Sequence, residues 1–304
     1  MKNFAPVQAW LPPLGLSTCI RAVLSRSSLG LNLAPTDRLA HFPVSPTCSI
    51  NCLLTGDADL LASGHHDLDD APRQNISGFT VTGPQTKPRT VFYETPAHGI
   101  MVIFYPDAWH ALTGSTVMSL TDQVLSPESV LPADLLQACR RMWESRDDNE
   151  RVQRWFDDLL PIWQQRTQGA RHRPWSAKGW AASTGPWVES LSLRAAASGW
   201  GRSLRQSERR IKQWTGWSLR RLHGFTRGET VFFAAMAALL DDQLDWTQVA
   251  LEHGFADQSH FIREVRRLTG FTPETLKVGI LQQEAYWSYR AWAALAGYPL
   301  PLMQ

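Results

Sequence analysis

Three guanidinium groups, an amide and a hydroxyl fall on one side of a short helical stretch late in the chain. They are Arg263, Arg266, Arg267, Gln258 and Ser259, with Ile262 among them and only Glu264 in opposition. Helical spacing sets Phe261, Val265 and Leu268 on the opposite side, so that an apolar face anchors the helix and the polar face is left outward. An Arg forks onto guanine O6 and N7 and a Gln onto adenine N6 and N7, each bidentate pair discriminating by about 1–3 kcal/mol. Free N–H groups in the first turn of such a helix suit a phosphate. The chemistry on offer is the reading of a DNA major groove. A solvated basic face on an ordinary helical hairpin has the same charge pattern, and charge alone does not separate the two.

The residues around this stretch predict how it is held. Leu251 lies on a short helix that Gly254 ends by supplying a left-handed backbone position, Phe255 drops into the gap, and Asp257 is a good N-cap for the next helix. The run Gly254-Phe-Ala-Asp-Gln-Ser-His-Phe261, followed by Thr269-Gly-Phe-Thr-Pro273, resembles the signature of the AraC/XylS family of bacterial transcription regulators. The resemblance covers residues 188–285. It implies two helix-turn-helix units joined by a long helix, with reader helices about one DNA turn apart.

An internal repeat supplies the other unit. Sliding the chain by 54 positions sets Trp214, Thr215, Gly216, Trp217 and Ser218 against Leu268, Thr269, Gly270, Phe271 and Thr272, and Ser203 against Asp257. Ser203 with Gln206 reads as a capping box opening a helix over residues 204–213. Two departures stand out: Ser207 occupies an apolar position of the repeat, and Gly199-Trp-Gly201 makes the first turn one residue longer. Residues 220–241 read as the linking helix, in which Gly224 and Gly228 each cost about 1 kcal/mol relative to Ala. Carried over residue by residue, the resemblance implies base contacts by Arg205, Glu208 and Arg209 in the first unit and by Gln258, Ser259, Ile262 and Arg263 in the second. Lys212, Arg266 and Arg267 would grip the DNA backbone.

Length and charge agree with this division. A chain of 304 residues suggests two domains, and 43% hydrophobic content can bury a core. Net charge is only +2, but residues 202–227 hold eight Lys/Arg against one acid, whereas residues 1–135 hold seven bases and eleven acids. The basic zone coincides with the first reader, and the acidic front half is unsuited to phosphate. Four scattered cysteines without a C-x-x-C pair suit a reducing cytoplasm. An N-terminus broken by prolines gives no signal peptide, and the longest apolar run, residues 231–240, is about half of the ~20 residues a membrane span needs.

In the front half, dense turn residues separate β-branched and aromatic runs at residues 49–54, 78–82, 89–93 and 99–105, which read as short strands of a barrel or sandwich. A short helix over 106–113 ends at Gly114. The phrases His41-Phe-Pro, Thr82-Gly-Pro-Gln and Phe104-Tyr-Pro-Asp-Ala-Trp-His110 resemble a sensor domain found in a subset of such regulators, which implies a small-molecule effector of unnamed chemistry. Phe104, Tyr105, Trp109, His110 and Cys52 could line a pocket, although plain core is the stronger reading of such residues.

Other chemistries fare worse. Cys48, Cys52, His65, His66 and Asp67 offer ligands for zinc, but at a spacing unlike a zinc site, and residues 65–70 read better as an exposed acidic loop. No G-x-S-x-G elbow or P-loop is present, so neither catalytic nor metal residues are assigned, no cofactor is expected, and the chain is read as a non-enzyme. Residues 133–143 and 151–163 form an amphipathic hairpin read as core packing rather than a dimer contact; a Gly, Ser, Pro and Arg-rich linker follows; and the aromatic tail, residues 281–292, closes the C-terminal core.

The expectation is an α+β chain of two domains. A β-rich sensor-like domain occupies 1–132, a helical hairpin 133–166, a linker 167–187 and an all-α double helix-turn-helix domain 188–292. Its expected partners are double-stranded promoter DNA and an effector, with RNA polymerase and a second copy of the chain as further candidates, and no membrane. The competing reading is a protein-docking helical module on a ligand-binding or enzymatic β-rich domain.

Overall fold

The computed structural model describes residues 4–62, 64–66, 68, 72–167, 183–197, 204–241 and 243–299, residue 204 by its backbone alone. The Ser203 cap, the turn at 199–201 and most of the linker, 168–182, lie outside the described residues.

Among the described residues the front of the chain forms eight antiparallel strands: β1 (Val7–Trp10), β2 (Ile20–Ser27), β3 (Leu39–Phe42), β4 (Cys48–Leu61), β5 (Arg73–Thr82), β6 (Arg89–Tyr93), β7 (His98–Phe104) and β8 (Val124–Leu125). The main path runs β1-β2-β7-β4-β5-β8, while β6 pairs with both β4 and β3. The 14-residue β4 makes this possible. Its first half pairs with β7 and β5; the register then shifts beyond Leu53, and Ala58 to Leu60 pair with β6. An irregularity of this kind bends a strand, and here the sheet wraps around an interior lined from β2 through β8. The expectation of a β-rich front domain holds.

Helix α1 (Pro106–Thr113) stands between β7 and β8, and α2 (Ala133–Trp143) and α3 (Asp148–Arg166) follow β8. Helix α1 ends at Gly114 with φ 69°, as its sequence predicts. Phe104, Tyr105 and Trp109 are fully buried core, while Cys52 lies on the wall of the barrel interior. Leu135, Cys139 and Met142 of α2 meet Val152, Trp155 and Leu159 of α3 in the same core as the sheet.

Among the described residues beyond 183 lie seven further helices: α4 (Gly185–Ala197), α5 (Leu204–Thr215), α6 (Leu219–Leu240), α7 (Trp246–Glu252), α8 (Gln258–Thr269), α9 (Pro273–Gln282) and α10 (Trp287–Leu295). Helix α4 starts at Gly185, inside the stretch expected to be linker. Among the described residues no helix is long and apolar enough to cross a membrane.

Two expectations need correction. The aromatic tail does not close the helical core alone: Trp287 and Ala291 pack with Leu24, Ala40 and Ile103 of the sheet, whereas Tyr286 and Tyr289 join Leu39 and Phe92 to Met236, Leu276 and Ile280. An aromatic face broad enough for two partners takes both. Nor is residue 66 part of an exposed loop. The His66 ring lies 4.7 Å from that of Phe271 and 6.0 Å from that of His41, because an imidazole edge packs well on an aromatic face.

Candidate nucleic-acid interface

The 54-residue repeat is a repeat of hydrogen bonds as well as of residue types. Helices α5 and α8 are both 12 residues long. At the end of α5 the Thr215 hydroxyl donates to the Ile211 carbonyl at 2.7 Å and accepts from the Trp217 amide at 3.2 Å. At the end of α8 the Thr269 hydroxyl donates to the Val265 carbonyl at 2.8 Å and accepts from the Phe271 amide at 3.1 Å. Gly216 and Gly270 then turn the chain at φ 74° and 87°, a region that favours glycine. Ser218 and Thr272 follow as N-caps of the exit helices α6 and α9, accepting from the amides of Arg221 and Thr275. Each of these pairs is separated by the same 54 positions.

The helix-turn-helix of the second unit is built as its sequence predicts. Asp245 caps α7, Gly254 has φ 72°, and Phe255 is buried against Phe261, Val249 and Val231. The Asp257 carboxylate accepts from the His260 amide at 2.7 Å and so opens α8.

Helix α6 holds both units. Near its start, Leu222 and Phe225 share a core with Ile211 and Trp217 of the first unit. Further along, Val231 packs with Phe261, and Gly228 leaves the space that the Leu268 side chain fills. A side chain at Gly228 would strike Leu268, so this glycine is present for close approach, which explains a residue that otherwise weakens a helix. With 22 residues, α6 is about 33 Å long.

Nine of the ten residues expected to meet DNA are exposed: Arg205, Glu208, Arg209 and Lys212 on α5, and Gln258, Ser259, Arg263, Arg266 and Arg267 on α8. Ile262 is half-buried against the core of the second unit. The cations differ in how far they are engaged. No hydrogen bond or ion pair among the described residues holds Arg205, Arg209, Lys212, Arg263 or Arg266. Arg267 instead forks onto Glu264 at 2.7 and 2.9 Å. That hydrogen bond holds the Glu264 carboxyl below its usual range and raises the Arg267 guanidinium. Burial, with Arg267 nearby, lowers the Arg221 guanidinium.

Sequence reasoning missed the polar contacts that lock this module to the barrel. Arg21 of β2 pairs with Glu229 of α6, both side chains almost fully buried, and the other Glu229 oxygen accepts from the Thr184 amide and hydroxyl, each at 2.7 Å. Asp107 of α1 accepts from the Trp187 indole at 2.8 Å and pairs with Arg194, both on α4. The Val44 amide donates to the Leu268 carbonyl at 2.8 Å, and Arg221 donates to the Thr86 carbonyl at 3.0 Å. A single-sequence reading holds no signal for pairs this far apart; the only hint was that Asp107 and the Thr82-Gly-Pro-Gln turn belong to the sensor-like phrases.

Two basic-faced helices with duplicated ends, both held on α6, define the class: the C-terminal part of the chain is an AraC-type helix-turn-helix domain, of the kind found in DNA-binding transcription regulators. Residues 196–277 match the family model described as a helix-turn-helix domain. Among solved structures, ToxT from Vibrio cholerae is similar at 10% identity over 90% of this chain and 97% of that one, with a TM-score of 0.35. ToxT from the same organism with bound unsaturated fatty acid is similar at 12% identity over 79% and 94%, TM-score 0.33. The AraC-like transcriptional activator CuxR is similar at 14% identity over 86% and 88%, TM-score 0.31. A search of curated proteins finds no match.

Proposed function

We propose that this protein binds promoter DNA sequence-specifically and regulates transcription under the control of a small-molecule effector held in its β-rich domain. The observation that carries the reading is the duplicated pair of 12-residue helices, alike in the hydrogen bonding of their C-terminal ends and each exposing unengaged cations. Arg205, Glu208 and Arg209 read bases from the first unit, and Gln258, Ser259, Ile262 and Arg263 from the second; Lys212, Arg266 and Arg267 hold phosphates. In this reading residues 1–132 sense, 133–166 support, 167–187 link and 188–292 bind DNA, in the cytoplasm, with RNA polymerase and a second copy of the chain as further partners.

The test is a gel-shift titration against fragments selected from genomic DNA. With roughly six phosphates neutralised, log affinity falls against log salt with a slope of about −5, and footprinting shows a defined protected site. A slope flatter than about −2, or no protected site, would overturn the reading and favour a module that docks protein through the same basic faces.

A further inference from the structure

The two readers leave two cations of the linking helix without a task. Residues 202–227 hold eight Lys/Arg, and of these Arg220 and Arg227 stand on α6. Both are exposed, and no hydrogen bond or ion pair among the described residues holds either. Their neighbour Arg221 is engaged: it donates to the Thr86 carbonyl at 3.0 Å, and its guanidinium lies 4.4 Å from the centre of the Trp217 ring.

Helix geometry gathers the free cations into a stripe. At 3.6 residues per turn, Arg220, His223 and Arg227 fall within about 60° of one another, and all three are exposed. The only acid of α6, Glu229, lies on the far side of the helix, buried against Arg21 of the barrel. The stripe therefore faces away from the barrel. Its flanks are the two units, since Gly228 and Val231 meet Leu268 and Phe261 of the second, and Leu222 shares the core of Ile211 in the first. Arg227 also adjoins the edge of the second reader. Its guanidinium lies 5.5 Å from the centre of the Phe255 ring and acts electrostatically on Glu264. That carboxylate is already taken by the Arg267 fork at 2.7 and 2.9 Å, so Arg227 keeps its charge for something outside the chain.

We propose that the Arg220–His223–Arg227 stripe of α6 binds the phosphates of the duplex between the two reader sites, as a third point of grip. Readers that enter successive major grooves on one face leave a minor groove between them, rimmed by phosphates on both strands. Arg220 and Arg227 are about 10 Å apart along the helix axis, long enough to meet both rims of a groove about 6 Å wide. Such contacts position the protein and carry no base preference. The proposal rests on the DNA-binding reading above and extends it to residues outside the reader helices.

The experiment measures binding of the full chain to a selected genomic fragment and to random duplex across a salt series, by fluorescence anisotropy. Arg220→Gln with Arg227→Gln should flatten the slope of log affinity against log salt by about 2, each phosphate contributing about 0.9. It should weaken cognate and random DNA alike, by at least about tenfold at 0.1 M salt, and leave the melting temperature of the free protein unchanged. A second arm needs no variant. Uncharged methylphosphonate linkages placed between the two protected half-sites should weaken binding by the wild-type chain and make no further difference to the double variant. An unchanged slope, or equal weakening of both proteins by the neutral linkages, would overturn the proposal. Loss of transcriptional control with DNA binding unchanged would do so too, assigning the stripe to an acidic protein. The absence of any protected site would overturn the DNA-binding reading and this proposal together, whereas a protected site with an unchanged slope would overturn the stripe alone.

Discussion

Two arginines four positions apart on one helix are expected to behave differently. Arg263 is exposed and unengaged, early enough on α8 to reach a base edge. Arg263→Ala should lose about 1–3 kcal/mol on the cognate site and relax preference at one base position. Arg267 is held by Glu264, so its removal takes away a cation and also frees a carboxylate beside the phosphates. Arg267→Ala should therefore weaken all DNA sequences alike, and adding Glu264→Gln should recover part of the loss. Binding measured for the four members of this cycle on cognate and random DNA checks both statements. Equal losses on both DNAs for Arg263→Ala would show that it reads no base.

At the scale of elements, the turn after α8 carries a testable strain. Gly270 sits at φ 87°, and a methyl group there would strike the His66 ring. Gly270→Ala should cost about 1–2 kcal/mol for the left-handed backbone alone plus the displacement of His66. Adding His66→Ala should return the second part and leave the first, as read by urea denaturation. Elements of this kind were legible in the sequence because their signals are local: Asp257 three residues before the amide it caps, Gly254 at a left-handed position, and a repeat that any sliding comparison finds. Four strands were legible for the same reason, being β-branched runs between turns. β2 was not. Seven of its eight residues are buried, so it lacks the alternation that marks a half-buried strand. β4 was seen only in its first half, because the shift past Leu53 interrupts the pattern that its second half continues.

The whole molecule is held by charges that no local signal could pair. Arg21 and Glu229 are 208 positions apart and almost fully buried, with the Arg21 guanidinium also 3.9 Å from the centre of the Trp292 ring. Glu229→Ala should destabilise the protein by about 3–5 kcal/mol, because it strands a buried cation and takes the acceptor from Thr184. The double replacement Arg21→Met with Glu229→Leu should restore much of that, since an ion pair exchanged for well-packed apolar groups is often neutral. Chemical denaturation of the three variants measures the difference. If Glu229→Ala costs no more than an exposed ion pair, about 0–1 kcal/mol, the clamp between barrel and linking helix does not hold the two halves together.

The two copies of the repeat are not equally self-sufficient. The second has an interior of its own, with Phe261 at the centre of a cluster drawn from α6, α7 and α8. The first has Ser207 where its twin has Phe261, and its Ile211 and Trp217 join the interior built around the strands. Its fixation is lent by the front of the molecule. Under the proposed function, a disturbance inside the barrel therefore meets the first grip through the core shared by Ile211 and Trp217 and the second through Leu268 and the His66–Phe271 contact, and the two halves of a bound site would register it unequally.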